Sequence, residues 1–213
     1  MLNTQWKAHP WHGVAVGPKA PDEVNAYIEI VPTDTVKYEI DKETGHLRID
    51  RPQRYSSLCP TLYGFVPQTY CGHGVGKFCA DRLQRSGIIG DGDPVDICVI
   101  SERTVTHGDI LLTAVPIGGL RIIDRGEADD KIIAVLASDG MAGEWKDIWQ
   151  APRALIDRLT HYFLTYKAAP DGTTRPVEIA GVYGAAEARE VITHAIHDYQ
   201  ALVTAKPPPQ VKK

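Results

Sequence analysis

The feature that most constrains the fold is a change of hydrophobic period along the chain. Between residues 24 and 136 the apolar residues form short β-branched runs bounded by turn residues, which is typical of strands. Beyond residue 150 they recur every three to four positions, which predicts one helix behind Ala151-Pro152 and a second over about residues 187–205. Strands followed by helices indicate an α+β fold rather than alternating βαβ units. The predicted strands are 24–31, 35–40, 47–50, 95–100, 110–117, 120–124 and 131–136.

The remaining segments complete the predicted domain organisation. A chain of 213 residues suits one domain with elaborations, which we place over residues 1–205. Residues 1–23 are rich in Pro and Gly and predict an irregular arm. Residues 67–90 are Gly-rich without a clear period and predict a long loop insertion, whereas a run at 175–180 predicts a further strand. Residues 206–213 predict a disordered tail.

The composition limits which binding partners and which cellular compartment we expect for the protein. The chain has 23 basic and 27 acidic residues, a formal net charge of −4, which argues against a general nucleic-acid binder. Its most apolar stretch is far short of a membrane span, and its N-terminal sequence has no apolar signal region. Four cysteines are few for a disulfide-built fold of this length. We therefore expect a cytoplasmic protein with reduced thiols and with neither nucleic acid nor membrane as partner.

The densest chemical signal is the octapeptide GDGDPVDI at residues 90–97, which leads into an apolar strand. Its internal Gly and Pro disfavour a plain strand, so a turn can direct Asp91, Asp93 and Asp96 toward one point. Close negative charges repel one another unless a cation lies between them, and an all-oxygen ligand set suits Mg²⁺, Mn²⁺ or Ca²⁺. Alone, the motif would be interpreted as a solvated Asp-Gly turn.

A second acidic segment makes a metal site the better interpretation. The loop at residues 124–130 carries four carboxylates between two predicted strands. Two acidic clusters at strand ends indicate two halves of a site for several cations. Such a site needs an anionic partner, for which Lys37, Arg51, Lys131 and Lys167 supply positive charge. Metals and a phosphate substrate together predict metal-assisted phosphoryl transfer, and the lack of a Walker A sequence disfavours a kinase.

These motifs together resemble the soluble family I inorganic pyrophosphatases, and the match runs in order over about residues 27–183. The resemblance implies a small closed five-stranded OB-like β-barrel with flanking C-terminal helices. It also implies Mg²⁺-dependent hydrolysis of inorganic pyrophosphate to two orthophosphates, by a homo-oligomer. Besides the octapeptide, the segments that carry the match are KYEIDKETG at 37–45, DR at 50–51, PTLYGF at 60–65, 124–131 and HYFLTYK at 161–167.

The resemblance further implies a role for each matching residue. Asp93 matches the base that takes a proton from the attacking water, and Glu29 and Glu39 match acidic positions of lesser importance. The implied ligands of several Mg²⁺ ions per active site are Asp91, Asp96, Asp124 and Asp129. The implied substrate-binding residues are Lys37, Arg51, Tyr63, Lys131, Tyr166 and Lys167.

Two departures from the family pattern and two alternative functions stay open. Cys59 stands where many bacterial members have Tyr, and residues 68–90 are a longer insertion than the short bacterial enzymes carry. The first alternative is a metal-dependent phosphohydrolase of a nucleotide or organic diphosphate, which would need an apolar or aromatic surface for the organic group. The second is a non-catalytic Ca²⁺-binding barrel, which would leave Lys37, Arg51 and Lys167 without a role.

Overall fold

The computed structural model describes residues 7–169 and 177–205. Its regular elements follow the predicted order apart from one helix at residues 73–83 that lies among the strands, and the longest helix comes last. The elements are β1 (Val24–Ile30), β2 (Val36–Ile40), β3 (Leu47–Pro52), β4 (Leu62–Phe65), α1 (His73–Leu83), β5 (Ile89–Gly90), β6 (Asp96–Ile100), β7 (Ile110–Asp124), β8 (Glu127–Ala128), β9 (Lys131–Leu136), two 3₁₀ turns (Ala142–Glu144 and Ile148–Gln150), α2 (Arg153–Thr165), β10 (Glu178–Gly184) and α3 (Ala185–Ala205).

Five strands close into a ring. Hydrogen-bonded pairing runs from β1 through β4, β6, β9 and β7, and β7 pairs with β1 again. The β6–β9 pair is parallel and the other four pairs of the ring are antiparallel. Closure leaves no free edge among these strands. The predicted α+β fold with a small OB-like barrel is confirmed, and β2 and β3 form a separate hairpin.

The barrel strands are buried on both faces, which explains their continuous apolar runs. In β6, Ile97 and Val99 belong to a core cluster that includes residues of α1 and α3. The alternate residues Cys98 and Ile100 belong to a second cluster that includes residues of α2. Residues of α1 and α3 and residues of α2 therefore belong to separate core clusters that meet at this strand.

The predicted break between strands 110–117 and 120–124 is wrong, because β7 runs through it. The two glycines at the predicted break serve close packing instead of a turn. A Cβ on Gly118 would lie 2.5 Å from the carbonyl oxygen of Tyr183, and one on Gly119 would lie 2.3 Å from the ring of Tyr183. Only residues without a side chain let β10 approach β7 this closely.

The prediction of a loop over residues 67–90 is also wrong, because this segment contains α1 and β5. The N-terminus of α1 is capped from a distant part of the chain. The carboxylate of Asp198 in α3 accepts hydrogen bonds from the backbone amides of Gly72, Gly74 and Val75 at 2.9–3.0 Å. A carboxylate there satisfies unpaired amides and complements the helix dipole. No local cap or strong helix former marks this start in the sequence.

Three of the expected segments extend beyond the described residues. Residues 7–23 contain no helix or strand. The strand expected at 175–180 is found over Glu178–Gly184; residues 175–176 and the predicted tail at 206–213 lie outside the described residues. Among the helices of the described segments, none has the length and apolarity to cross a membrane.

Candidate active site

An open cleft of about 640 Å³ lies between the β2–β3 hairpin and the ends of several barrel strands. Every residue predicted to bind metal or substrate, or to act as base, lines this one cleft. Glu29 and Glu39 line it as well. The predicted residues brought together are Asp91, Asp93, Asp96, Asp124 and Asp129 on the acidic side, and Lys37, Arg51, Tyr63, Lys131, Tyr166 and Lys167.

The hairpin supplies a basic wall that acidic side chains hold in place. Lys37 in β2 is paired across the hairpin with Arg51 in β3. The Lys37 ammonium donates to Asp50 at 2.8 Å and to Glu39 at 2.9 Å. Although burial lowers the pKa of Lys37, these two carboxylates outweigh burial and raise it above its ordinary value. Lys37 therefore stays positively charged in the cleft.

The turn of the octapeptide is held by hydrogen bonds on two sides. Gly92 has φ +78°, a conformation that other residues adopt only with strain. The Asp91 carboxylate accepts a hydrogen bond from the Asp93 amide at 2.9 Å. Cys71, from the segment before α1, donates its amide to the Asp93 carbonyl at 2.7 Å and accepts from the Gly92 amide at 3.0 Å. The segment expected to be a loop therefore supports the turn that carries two predicted site residues.

A buried lysine joins the two acidic clusters. The parallel pairing of β6 and β9 places Asp96 opposite Lys131, whose side chain is only 2% exposed. The Lys131 ammonium contacts the carboxylates of both Asp96 and Asp129, and the Tyr63 hydroxyl donates to Asp96 at 2.6 Å. Burial lowers the pKa of Lys131, but Asp129 and Asp96 raise it well above its usual range. A positive charge is thus held permanently between the two clusters.

The end of α2 closes the far side of the cleft. Tyr166 and Lys167 come directly after the last residue of α2. The Lys167 ammonium donates to Asp124 at 2.7 Å, at the end of β7. Burial lowers the pKa of Lys167, but Tyr166 and Asp124 raise it above its ordinary value. Helix and barrel are therefore linked at the cleft by an ion pair.

Burial and mutual repulsion disfavour the charged form of two carboxylates of the acidic wall. Burial, reinforced by the negative charge of Asp129, raises the pKa of Asp91 to about 8. Burial also raises the pKa of Asp129, against the opposing charge of Lys131 and with a contribution from Asp96. Among the described residues, no group of three or more His, Cys, Asp or Glu side chains is arranged to hold a metal ion, and the Lys131 ammonium contacts two of the carboxylates. The all-oxygen donor set and its excess negative charge fit Mg²⁺.

Sequence reasoning missed one cleft residue that contacts the predicted base. Lys42 lies in the hairpin turn, and its ammonium contacts the Asp93 carboxylate. Nothing in the sequence of a turn indicates which way its side chains point. The further cleft-lining residues without a predicted role include Asp41, Glu43, Arg48 and Glu127.

The departure at Cys59 lies outside the residues that line the cleft. Cys59 is buried and lies outside the cleft lining. All four cysteines are free and buried, and burial raises the pKa of Cys59 and of Cys79 to about 11. Burial and a raised pKa both disfavour the thiolate, the form that oxidises and binds metals.

Glu29 gives the site a testable pH dependence. Its carboxylate is buried and accepts a hydrogen bond from the Ile40 amide at 2.7 Å. Burial raises the pKa of Glu29 from 4.5 to about 8. The folded state therefore favours the protonated form of the Glu29 carboxyl. The contribution of this preference to the free energy of unfolding is fully present below about pH 4.5 and is lost as the pH rises through about 8.

We expect the substitution Glu29→Gln, whose side chain stays neutral, to remove the loss of stability that Glu29 causes as the pH rises. Between pH 6 and 9, in EDTA, the wild type should lose up to a few kcal/mol more stability than the variant. Thermal or urea melts at both pH values measure the difference. Glu190→Gln, on an exposed part of α3, is the control and should follow the wild type. Equal pH slopes for Glu29→Gln and wild type would contradict the assignment.

Comparisons with known proteins agree with the geometry of the cleft. The sequence profile of the family described as inorganic pyrophosphatase matches residues 26–200. The inorganic pyrophosphatase of Chlamydia caviae is 52% identical over 195 residues, covering 90% of each chain. The crystal structure of inorganic pyrophosphatase from Thermus thermophilus superposes with a TM-score of 0.76 at 28% identity, covering 91% of this chain and 99% of that one. The enzyme from Helicobacter pylori superposes at 0.72 with 31% identity, covering 88% and 98%. The resemblance predicted from the motifs is thus confirmed, and the chain belongs to the inorganic pyrophosphatase family.

Proposed function

We propose that the protein hydrolyses inorganic pyrophosphate to two orthophosphates in this cleft, with Mg²⁺ as cofactor. The observation that carries the proposal is the pairing of two acidic clusters with buried or half-buried cations in a single cleft. Pyrophosphate is a small polyanion without an organic group. It suits a cleft in which sixteen of the twenty-one lining residues are charged, the other five being Ile40, Tyr63, Phe65, Pro94 and Tyr166.

The proposed Mg²⁺ ligands are four carboxylates of the cleft lining, two on the octapeptide and two in the loop at residues 124–130. Mg²⁺ bound there would neutralise phosphate oxygens and lower the pKa of a coordinated water. These carboxylates repel one another, but each is attached either to the fixed turn or to a strand end, and this attachment sets the distance between them. The proposed ligands are Asp91, Asp96, Asp124 and Asp129.

Asp93 is the proposed base. Its side chain is about half exposed, at 49%, so solvent and substrate reach it. The turn holds its backbone, and its carboxylate is available to accept a proton from the attacking water. Its partner Lys42 is 55% exposed on a long flexible side chain, so the Lys42 ammonium can move from Asp93 to a phosphate when substrate enters.

The basic and hydroxyl side chains bind the two phosphates. Arg51 offers paired donors to phosphate oxygens, whereas Lys37 and Lys167 act as point charges. Their charges attract the substrate and stabilise the charge that builds on the departing phosphate. Tyr63 and Lys131 are tied to Asp96, so phosphate binding and metal binding are coupled through the same side chains.

We further propose a cytoplasmic homo-oligomer. Large apolar side chains exposed on the single chain, including Leu111 at 53% and Trp149 at 68%, support contacts with further copies. Size-exclusion chromatography with light scattering tests the assembly.

The test of the function is phosphate release from pyrophosphate, ATP and a sugar phosphate, with and without Mg²⁺. We expect rapid release from pyrophosphate that requires Mg²⁺, is abolished by EDTA and is suppressed by Ca²⁺, since Ca²⁺ relaxes the octahedral geometry that Mg²⁺ imposes. Full turnover in EDTA would contradict the proposal. Preference for ATP would favour the nucleotide phosphohydrolase, and Ca²⁺ binding without turnover would favour the non-catalytic barrel.

A further inference from the structure

A buried ionic network lies directly behind the acidic wall of the cleft. It consists of Arg121 in β7, Asp130 before β9, Tyr183 in β10 and Glu187 in α3. None of these four residues lines the cleft, and the proposed mechanism gives none of them a role. They form one hydrogen-bonded set that begins next to the proposed ligand Asp129.

The backbone sends neighbouring side chains in opposite directions here. Asp129 and Lys131 line the cleft, whereas Asp130 between them points away and meets the guanidinium of Arg121. The side chains of Asp130 and Arg121 are each only 4% exposed. Charges buried this deeply are tolerated only when fully paired.

Asp130 is saturated with hydrogen-bond donors. One of its carboxylate oxygens accepts from Arg121 Nε at 3.2 Å, from Arg121 Nη2 at 3.0 Å and from the Tyr183 hydroxyl at 3.0 Å. The other oxygen accepts from the Ile122 amide at 3.3 Å. The side chain of Asp130 therefore has little freedom to rotate.

Arg121 is itself held in place by contacts with residues of both α1 and α3. Its Nη1 donates to Glu187 at 2.8 Å. Its guanidinium lies 4.9 Å from the ring of Tyr183 and 5.4 Å from the ring of Phe78 in α1. Stacking of this kind fixes the plane of the guanidinium. The network therefore connects two helices and two strands to a single carboxylate.

The backbone of the proposed metal ligand is tied to the same place. The Asp129 amide donates to the Ile122 carbonyl at 2.9 Å, while the Ile122 amide donates to Asp130. These two bonds anchor residues 129 and 130 to one residue of β7. A change at Asp130 is consequently transmitted to Asp129 through one peptide unit.

We propose that Asp130, held by Arg121 and Tyr183, is a positioning residue that sets the orientation in which Asp129 binds a divalent cation. The inference rests on the proposed function, because it takes Asp129 as a metal ligand. Lys131 competes for the same carboxylate. Asp129 contacts the Lys131 ammonium with the network in place, so the network acts by fixing the backbone of residue 129. Loss of that anchor lets the carboxylate turn away from the orientation that the cation requires. Groups behind a metal ligand commonly control metal affinity in this way.

The experiment measures Mn²⁺ binding to the free full-length protein by electron paramagnetic resonance, without substrate, beside thermal melts. Tyr183→Phe removes one donor to Asp130 and keeps the ring against Gly119 and Arg121. We expect its Mn²⁺ dissociation constant to rise on the order of 10-fold. Glu187→Gln weakens the network at its far end and should raise the constant less, in the same direction. It also carries the test if Tyr183→Phe does not fold.

The matched control is Tyr27→Phe, which removes another hydrogen bond from a buried tyrosine to an aspartate, Asp109, at 2.8 Å and away from the cleft. Its Mn²⁺ affinity should equal that of the wild type, even where its melting temperature falls. Wild-type Mn²⁺ affinity in both network variants would overturn the proposal, as would a wild-type protein that binds no Mn²⁺. Failure of the proposed function has a different signature, namely intact Mn²⁺ binding without pyrophosphate hydrolysis.

Discussion

Replacing Asp93 by Asn should lower kcat for pyrophosphate hydrolysis on the order of 10²- to 10⁴-fold, which is what a positioned general base contributes. The amide keeps the size and the hydrogen-bonded turn but cannot take up the proton of the attacking water. The turn is held through backbone groups at Cys71 and through Asp91, so the substitution leaves its shape intact. The loss should therefore be chemical, with the melting temperature unchanged.

Asp91→Asn provides the contrast, because a metal ligand and a base fail differently. Removing a charge from the cation's surroundings should raise the Mg²⁺ concentration needed for activity, and added Mg²⁺ should recover part of the rate. Asp93→Asn should gain nothing from added Mg²⁺, and its pH–rate profile should lose or shift one limb. Asp81→Asn, on an exposed part of α1, controls for loss of an acidic residue as such.

The measurement is a Mg²⁺ titration of all three variants at two pH values. Rescue of Asp93→Asn by metal, with no rescue of Asp91→Asn, would exchange the two roles. Lys42 gives a second check, since its ammonium contacts Asp93. Lys42→Met should change the KM for pyrophosphate more than it changes the Mg²⁺ requirement, because Lys42 is proposed to bind a phosphate of the substrate and not a metal ion.

The fold was predictable where burial alone sets the pattern, and unpredictable where distant contacts set it. Strands buried on both faces and helices with one apolar face leave periodic signals in the sequence. Helix α1 leaves none, because its cap, Asp198, lies more than a hundred residues away in the chain. Strand β4 was missed for a similar reason. Its Gly64 looks like a strand breaker, yet a Cβ there would lie 1.9 Å from the carbonyl oxygen of Tyr27 in the neighbouring strand.

Charge alone indicates the acidic site residues in the sequence, whereas only the family resemblance distinguishes Asp129 from Asp130. The loop at 124–130 presents four carboxylates that look equivalent in the sequence. The structure separates them, because Asp129 lines the cleft while Asp130 is paired with buried Arg121 behind it. This separation depends on strand alternation and on the register between β7 and β9, neither of which local composition reveals.

Arg51→Ala should lower kcat/KM for pyrophosphate on the order of 10²-fold, with both kcat and KM affected. The Arg51 side chain is 28% exposed, and its Nη1 donates to Asp50 at 2.5 Å. Asp50 also accepts from Lys37 at 2.8 Å, so one carboxylate orients two cations toward the substrate. Because the phosphates are charged throughout the reaction, loss of this cation weakens substrate binding and the chemical step together.

Arg51→Lys tests whether charge alone is sufficient. An ammonium restores the charge but cannot make two parallel hydrogen bonds to a phosphate, so this variant should recover only part of the loss.

Arg103→Ala is the matched control, since Arg103 also follows an acidic partner, Glu102, but is 88% exposed and lies outside the cleft. Steady-state kinetics at saturating Mg²⁺ separate the cases. Near wild-type kcat/KM for Arg51→Ala would remove Arg51 from the phosphate-binding set. Full recovery by Arg51→Lys would mean that Arg51 acts as a point charge, and that Asp50 serves to hold that charge rather than to aim a pair of donors.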